Sequence, residues 1–399
     1  MRVLQLYNRI PWPLHDGGAL AVHSLSSGLH EAGIRLRMFA LNPSRNYVAP
    51  NEIPQALQED FGLQTETVDT RLWPHKAAFN LLGKTPFHIS RFYRPKIAQK
   101  LKMLLQSEQF DLIQLEAPFV GCYYEVLRTY SKAPIVLRAH NVEYRIWERL
   151  AEGCQQPLKA WYLREQAARL KKFELQLIRE VNGIVAISEV DATFFRQHTP
   201  APISVIPTGI KLDGYRPIQP NECNSKRMHF LGSLDWQPNQ EAAQWLATEI
   251  WPAIVALAPE SRCQVAGKNF PAFLKALASP GLNMLGPVTD AHAFMRSHPL
   301  CLIPMRSGSG IRIKLLEALA LGLPVISSTI GAEGIPVKHG KEILLANSPE
   351  EFAKCVLQLQ KNEDFAFNLG QQGRAFIAAQ YDSGALSKKL IDFYRQLGA

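Results

Sequence analysis

Short runs of Val, Ile and Leu recur at residues 3–7, 36–40, 112–115, 135–137, 184–187 and 204–206, and again at 228–231, 263–266, 300–304 and 325–327. Each is brief and apolar at adjacent positions, the pattern of a strand buried on both faces. Between the runs the apolar spacing turns helical: Val22, Leu25, Leu29 and Ala32 fall on one face. Strands that alternate with helices in this way predict the α/β class, with parallel sheets covered on both sides. There are more strands than one ordinary sheet holds, and the pattern restarts after a stretch dense in Pro and Gly at 199–220. The expected architecture is two doubly wound, Rossmann-like domains, 1–207 and 208–375, facing each other across a cleft. Residues 376–397 read as one last helix, so that 376–399 can cross back to the first domain. Ligands of such sheets sit at the C-terminal ends of the strands.

Composition removes several classes. The chain has 399 residues, 47% hydrophobic and 20% charged, which excludes a disordered chain, a collagen-like repeat and a coiled coil. No apolar run reaches the roughly 20 residues of a membrane-spanning helix. The N-terminus lacks a small-residue cleavage pattern, so the expectation is a cytoplasmic protein, with a peripheral position on the inner face of the membrane left open. Cys122, Cys154, Cys223, Cys263, Cys301 and Cys355 are widely spaced and suggest neither a zinc site nor a disulfide framework. The formal charge is +9, and residues 1–200 carry 25 Lys and Arg against 19 Asp and Glu. This is compatible with an anionic partner and equally with dispersed surface lysines; it is too diffuse to demand nucleic acid.

Three places can carry chemistry. Asp16-Gly17-Gly18 follows the first strand and opens a helix over 19–32, where Gly17 and Gly18 allow an anion to approach backbone N–H groups. The other reading is a tight turn, and the pattern is not the G-x-G-x-x-G of dinucleotide binders. The second place is the run Met305-Arg306-Ser307-Gly308-Ser309-Gly310, which leads from a strand into a helix over 311–321. Lys314 and Glu317, three apart, share a face of that helix. Lys314 is then placed to meet a diphosphate and Glu317 a ribose diol; alone, the two read as an exposed ion pair. Third, Arg138-Ala139-His140-Asn141-Val142-Glu143 ends a strand, so His140 is a candidate for a substrate hydroxyl or phosphate, or merely a capping residue. Glu116 ends another strand.

Together these segments resemble the glycosyltransferases of family four, group 1 type, which have the two-domain GT-B fold. The resemblance spans nearly the whole chain: Gly17-Gly18, 138–143, 185–189, 206–209 and 232–234, then most specifically 304–324 followed by Gly331-Ala332-Glu333-Gly334. It implies a retaining, metal-independent transfer of a sugar from a nucleotide-diphosphate donor to a glycan or lipid-linked acceptor, in surface polysaccharide or glycoconjugate synthesis. No cofactor beyond the donor co-substrate is expected. Carried onto this sequence, the donor site comprises Gly17, Gly18, Gly308, Ser309, Gly310, Arg312, Lys314 and Glu317, with His140, Lys314 and Glu317 as the catalytic set. A nucleotide-sugar epimerase on the same fold, and a binding protein without turnover, are the alternatives.

The sequence departs from the family pattern at three points. Ser309 stands where the E-x7-E signature has its first Glu, and no cation occurs in Gly232-Ser233-Leu234-Asp235-Trp236-Gln237-Pro238-Asn239. Lys211 replaces the usual Asp. Lys314 therefore has to supply the diphosphate charge, with Arg312 a doubtful helper, since it lies about 200° around the helix. A final expectation concerns residues 159–181. Trp161, Tyr162, Leu163, Leu170 and Phe173 lie there among Lys159, Arg164, Arg169, Lys171, Lys172 and Arg179, suggesting weak contact with an anionic membrane. Glu165, Glu174 and Glu180 offset that charge, as in an ordinary solvated helix.

Overall fold

A computed structural model describes residues 1–399 except 15–16, 72, 74–78, 82, 84 and 309. The chain forms two compact units: Met1–Gly209 with Ser383–Ala399, and Ile210–Asp382.

The first unit holds a parallel sheet of β1 (Arg2–Tyr7), β2 (Arg35–Pro43), β3 (Gln64–Val68), β4 (Leu112–Glu116), β5 (Ile135–Ala139), β6 (Gly183–Ala186) and β7 (Ile203–Val205). Their order is β3-β2-β1-β4-β5-β6-β7, so the winding reverses between β1 and β4. Side chains alternate between two cores. Leu4, Leu6, Ile113, Leu115, Ile135 and Leu137 face one of them. Val3, Tyr7, Leu112, Val136 and Val185 face the other, beneath the helix Gly17–Glu31 and the C-terminal helix Ser383–Gln396. The second unit repeats the plan with β8 (Arg227–Leu231), β9 (Arg262–Ala266), β10 (Leu282–Gly286), β11 (Leu300–Ile303), β12 (Val325–Ser327) and β13 (Leu344–Leu345), in the order β10-β9-β8-β11-β12-β13.

Three strands escape the sequence pattern. β3 has only Val68 fully buried, so its polar residues give no apolar run. β10 interleaves buried and exposed residues, and β13 has two residues only. The first helix starts at Gly17, not at residue 19, so Gly17 and Gly18 form its first turn. Asp16 lies outside the described residues.

The expected single helix over 376–397 is two helices, Glu363–Gln380 and Ser383–Gln396. The break arises because the backbone at 381–382 pairs with the extended chain at Ile210, whose N–H donates to the Tyr381 carbonyl at 2.7 Å. The second unit therefore runs from Ile210 to Asp382 rather than 208–375: Ile377 and Tyr381 are buried in its core, and only Ser383–Ala399 belongs to the first unit. Burial of Leu386, Leu390, Phe393 and Tyr394 holds that helix in place, each apolar side chain contributing about 1.5–3 kcal/mol.

Only part of the helix that covers 159–180 faces solvent. In the helix Pro157–Glu180, Leu170 is buried and Phe173 packs against the core, while Glu174 turns inward and accepts the N–H groups of Glu143 and Tyr144 at 3.1 Å. The exposed stripe that remains carries Leu158 and Trp161 with Arg164, Lys171, Lys172 and Arg179. Among the described residues no helix is long and apolar enough to cross a membrane.

The helices Gly17–Glu31 and Ser383–Gln396 approach closely at Gly28, where a Cβ would overlap the Ser387 hydroxyl. Gly28→Val should therefore cost about 1–3 kcal/mol of stability in urea unfolding. Adding Ser387→Gly should recover part of that loss, and equal stability of single and double variants would show that this contact does not hold the helix.

Candidate functional site

In the second unit, the chain leaves β11 and turns through 304–312 into the helix Ile313–Ala320. Gly308 and Gly310 sit at φ +106° and +84°, backbone that other residues adopt only with strain. A Cβ on Gly308 would also come within 2.9 Å of both the Arg312 guanidinium and the Trp236 ring. Ser307 Oγ anchors the turn by donating to Glu241 Oε2 at 2.5 Å. Ser309 falls outside the described residues.

The helix begins two residues later than the apolar pattern predicts. Arg312 is its N-cap, with φ −82° and ψ 96°, rather than a helical residue. Its guanidinium lies 5.2 Å from the Trp236 ring centre and donates to the Gly310 carbonyl at 2.9 Å. Arg312 thus braces the glycine turn against Trp236.

Lys314 and Glu317 do come together. Lys314 Nζ is 2.5 Å from Glu317 Oε2, and His292 Nε2 is 3.6 Å from Oε1. The Tyr215 ring packs on His292 at 4.6 Å. Burial pushes the Glu317 carboxyl up, but the His292 contact and the Lys314 charge outweigh it and hold it below the usual range. Lys314 keeps 39% of its side chain exposed against 9% for Glu317. An ionised carboxylate is thereby held at the base of a more accessible ammonium. His292 and Tyr215 give no signal in the sequence, because each joins the cluster from a separate segment.

In the first unit, Glu116 at the end of β4 and Arg138 near the end of β5 are register partners. Both are fully buried. Glu116 Oε2 accepts from Arg138 Nη1 at 3.1 Å and lies 3.0 Å from His140 Nε2, while Oε1 accepts from Gln114 Nε2 at 2.5 Å. Burial raises the Glu116 carboxyl, yet Arg138 and His140 pull it below its ordinary value. Burial moves His140 the other way, lowering its affinity for a second proton against the opposing pull of Glu116. With Glu116 ionised, Nε2 bears the His140 proton and Nδ1 is the ring's acceptor; the tautomer follows from this bonding pattern. The imidazole stacks on Tyr7 at 6.4 Å, with 15° between the planes.

Gly17 and Gly18, half-buried, open their helix after β1, and a chain leaving a strand and returning as a helix starts that helix at the C-terminal edge of the sheet. His140 stands at the same edge. The structure thus joins Lys314 with Glu317 and His140 with Glu116, and sets Arg312 beside Trp236. Among the described residues no three His, Cys, Asp or Glu side chains are grouped to hold a metal ion.

Comparison with known proteins follows this division of the chain. Residues 15–213 match the family described as Glycosyltransferase Family 4, and residues 225–362 match Glycosyl transferases group 1. An uncharacterized 44.6 kDa protein in the cps region of Klebsiella pneumoniae is 24% identical over 331 residues, 78% of this chain and 80% of that one. Among solved structures, sucrose-phosphate synthase of Thermosynechococcus elongatus superposes with a TM-score of 0.71 at 17% identity, covering 100% of this chain and 99% of its own. Anabaena HepE, solved in complex with UDP, superposes at 0.68 and 14% identity, covering 99% and 100%. With each half matched by its own family model and each unit a doubly wound parallel sheet, the chain belongs to the family-four, group 1 glycosyltransferases and has the GT-B fold.

Proposed function

We propose that this glycosyltransferase is a retaining enzyme that works without a metal ion, moving a sugar from a nucleotide-diphosphate donor to a hydroxyl of a glycan or lipid-linked acceptor. The observation that carries this reading is the Lys314–Glu317–His292 cluster behind the Gly308 and Gly310 turn. Lys314 and Glu317 neutralise each other. A ribose diol that donates to Glu317 competes for its carboxylate and frees the Lys314 charge for the diphosphate. Donor binding then creates the positive charge that the leaving group needs.

In the reaction, the bond from the anomeric carbon to the diphosphate oxygen breaks. The acceptor oxygen forms its bond on the same face, and the acceptor's proton passes to the leaving phosphate. Lys314 and the N–H groups that begin the helix at Ile313 meet the developing negative charge; one such fixed donor is worth about 2.7–4 kcal/mol. His140 Nδ1 accepts from a hydroxyl of the donor sugar. The Klebsiella relative, named for its place in a cps region, supports surface polysaccharide synthesis as the setting.

A panel of UDP-, GDP- and ADP-sugars identifies the donor by thermal shift, because a ligand at 100 times its dissociation constant adds about 2.7 kcal/mol. Free nucleotide diphosphate should then accumulate with an acceptor present. Conversion of the donor to an isomer with no acceptor would instead show epimerisation.

Lys314→Ala should lower turnover on the order of 100-fold, and Lys314→Arg should restore only part of it because a planar guanidinium is not a point charge. Glu317→Ala should weaken nucleotide binding while leaving the melting temperature nearly unchanged. Unaltered nucleotide affinity with a collapsed melting temperature would make Glu317 a structural residue.

The proposed acceptor side includes weak binding to anionic membranes through the exposed stripe of the helix Pro157–Glu180. Leu158 and Trp161 are 84% and 56% exposed, and Arg164, Lys171, Lys172 and Arg179 continue the same face. Each basic residue near such a surface contributes about 1 kcal/mol. At low salt the protein should sediment with vesicles containing phosphatidylglycerol and not with neutral ones, and Trp161→Ser should weaken that binding. No sedimentation on anionic vesicles would point to a soluble acceptor.

A further inference from the structure

One face of the first sheet is polar where an apolar core is expected. Gln5 on β1, Gln114 and Glu116 on β4, and Arg138 on β5 are fully buried. The registers Gln5–Gln114 and Glu116–Arg138, with the two-residue period of strands, place all four on one face. That face lies beneath the helices Gly17–Glu31 and Ser383–Gln396. Apolar side chains of similar volume would be as stable there or more so, since burying an ion pair and two amides has a desolvation cost. Packing alone therefore does not explain the ladder.

Its hydrogen bonds converge on Glu116. The Tyr394 hydroxyl donates to Gln114 Oε1, Gln114 Nε2 donates to Glu116 Oε1, and Glu116 Oε2 receives Arg138 Nη1 and His140 Nε2. Tyr394 is fully buried, with Leu386, Leu390, Ile391 and Phe393 in the same core. Its hydroxyl is the polar group that this helix sends into the ladder. The donation from Tyr394 fixes which end of the Gln114 amide is oxygen and which is the N–H aimed at Glu116. Gln5 Nε2 and Arg138 Nε and Nη2 are buried donors with no partner among the described residues. Gln5 is the register partner of Gln114 on β1, so an amide released from Tyr394 can turn its oxygen toward Gln5 Nε2, which withdraws its own N–H from Glu116.

We propose that Tyr394 is a positioning residue for His140. Through Gln114 it holds the Glu116 carboxylate where it takes the proton-bearing Nε2 of the imidazole, leaving Nδ1 as the acceptor for a sugar hydroxyl. The inference rests on the reading of His140 given above only for its effect on turnover; the bonding chain itself is independent of it.

The test is Tyr394→Phe, which removes one hydroxyl from the full-length protein. Long-range proton–nitrogen spectra of histidine-labelled protein report the His140 tautomer directly, with His140→Asn used to assign its signals. The parent should show the Nε2-protonated ring at neutral pH, and the variant a mixture of tautomers. Turnover should fall about tenfold with the donor KM within about twofold, the scale seen when groups that orient metal-bound histidines are removed. If Tyr394→Phe does not fold, Gln114→Met breaks the same chain without touching the helix and should have the same spectrum. An unchanged His140 signal in a folded variant overturns the proposal. So does a shifted tautomer with unaltered turnover. A parent protein that transfers no sugar defeats the proposed function instead, and the tautomer spectrum still decides the role of Tyr394.

Discussion

A carboxylate without solvent contact stays ionised only if the protein supplies what water would have supplied, and the first unit is arranged around that requirement at Glu116. Arg138 provides the compensating charge, and Gln114 and His140 provide the remaining donors. Each comes from β4, from β5 or from the residue that follows β5. Parallel pairing of these central strands is what brings them within reach. The ladder is therefore a product of register: a slip of one residue would turn Glu116 and Arg138 to opposite faces, each buried without the other.

The second unit meets the same requirement differently. Glu317 is also nearly buried and also held below the usual carboxylate range, but its main cation, Lys314, stays partly in solvent. The charge that compensates Glu116, on Arg138, is fully buried with it; Glu317 is paired with a cation that a ligand can draw away. The first arrangement suits orientation of a ring and the second suits exchange with a substrate. Glu143 and Glu174 show the outcome without a cation. Burial, reinforced at Glu174 by the neighbouring Glu143 charge, raises these carboxyls to about 7 and about 8, even though Glu174 accepts two backbone N–H groups at a helix start.

The alternation of apolar runs and helical faces was sufficient to read two parallel-sheet units, because strands buried on both sides show it in every residue. It failed where burial is partial, at β3 and β10, and where the strand is too short to have a period, at β13. It also failed at 376–397, where the apolar spacing continues through a break imposed by backbone pairing with Ile210.

A spacing of three residues on a helix was enough to bring Lys314 and Glu317 to one face. The local pattern also put the glycine turn before that helix and His140 at a strand end. Packing between distant segments is what stacks Arg312 on Trp236, joins His292 to Glu317, and lets Tyr394 reach Gln114 across 280 positions of sequence. The physical reason is that helical periodicity is written into neighbouring residues. A buried polar contact between distant segments depends on how whole sheets and helices pack, and no local pattern encodes that.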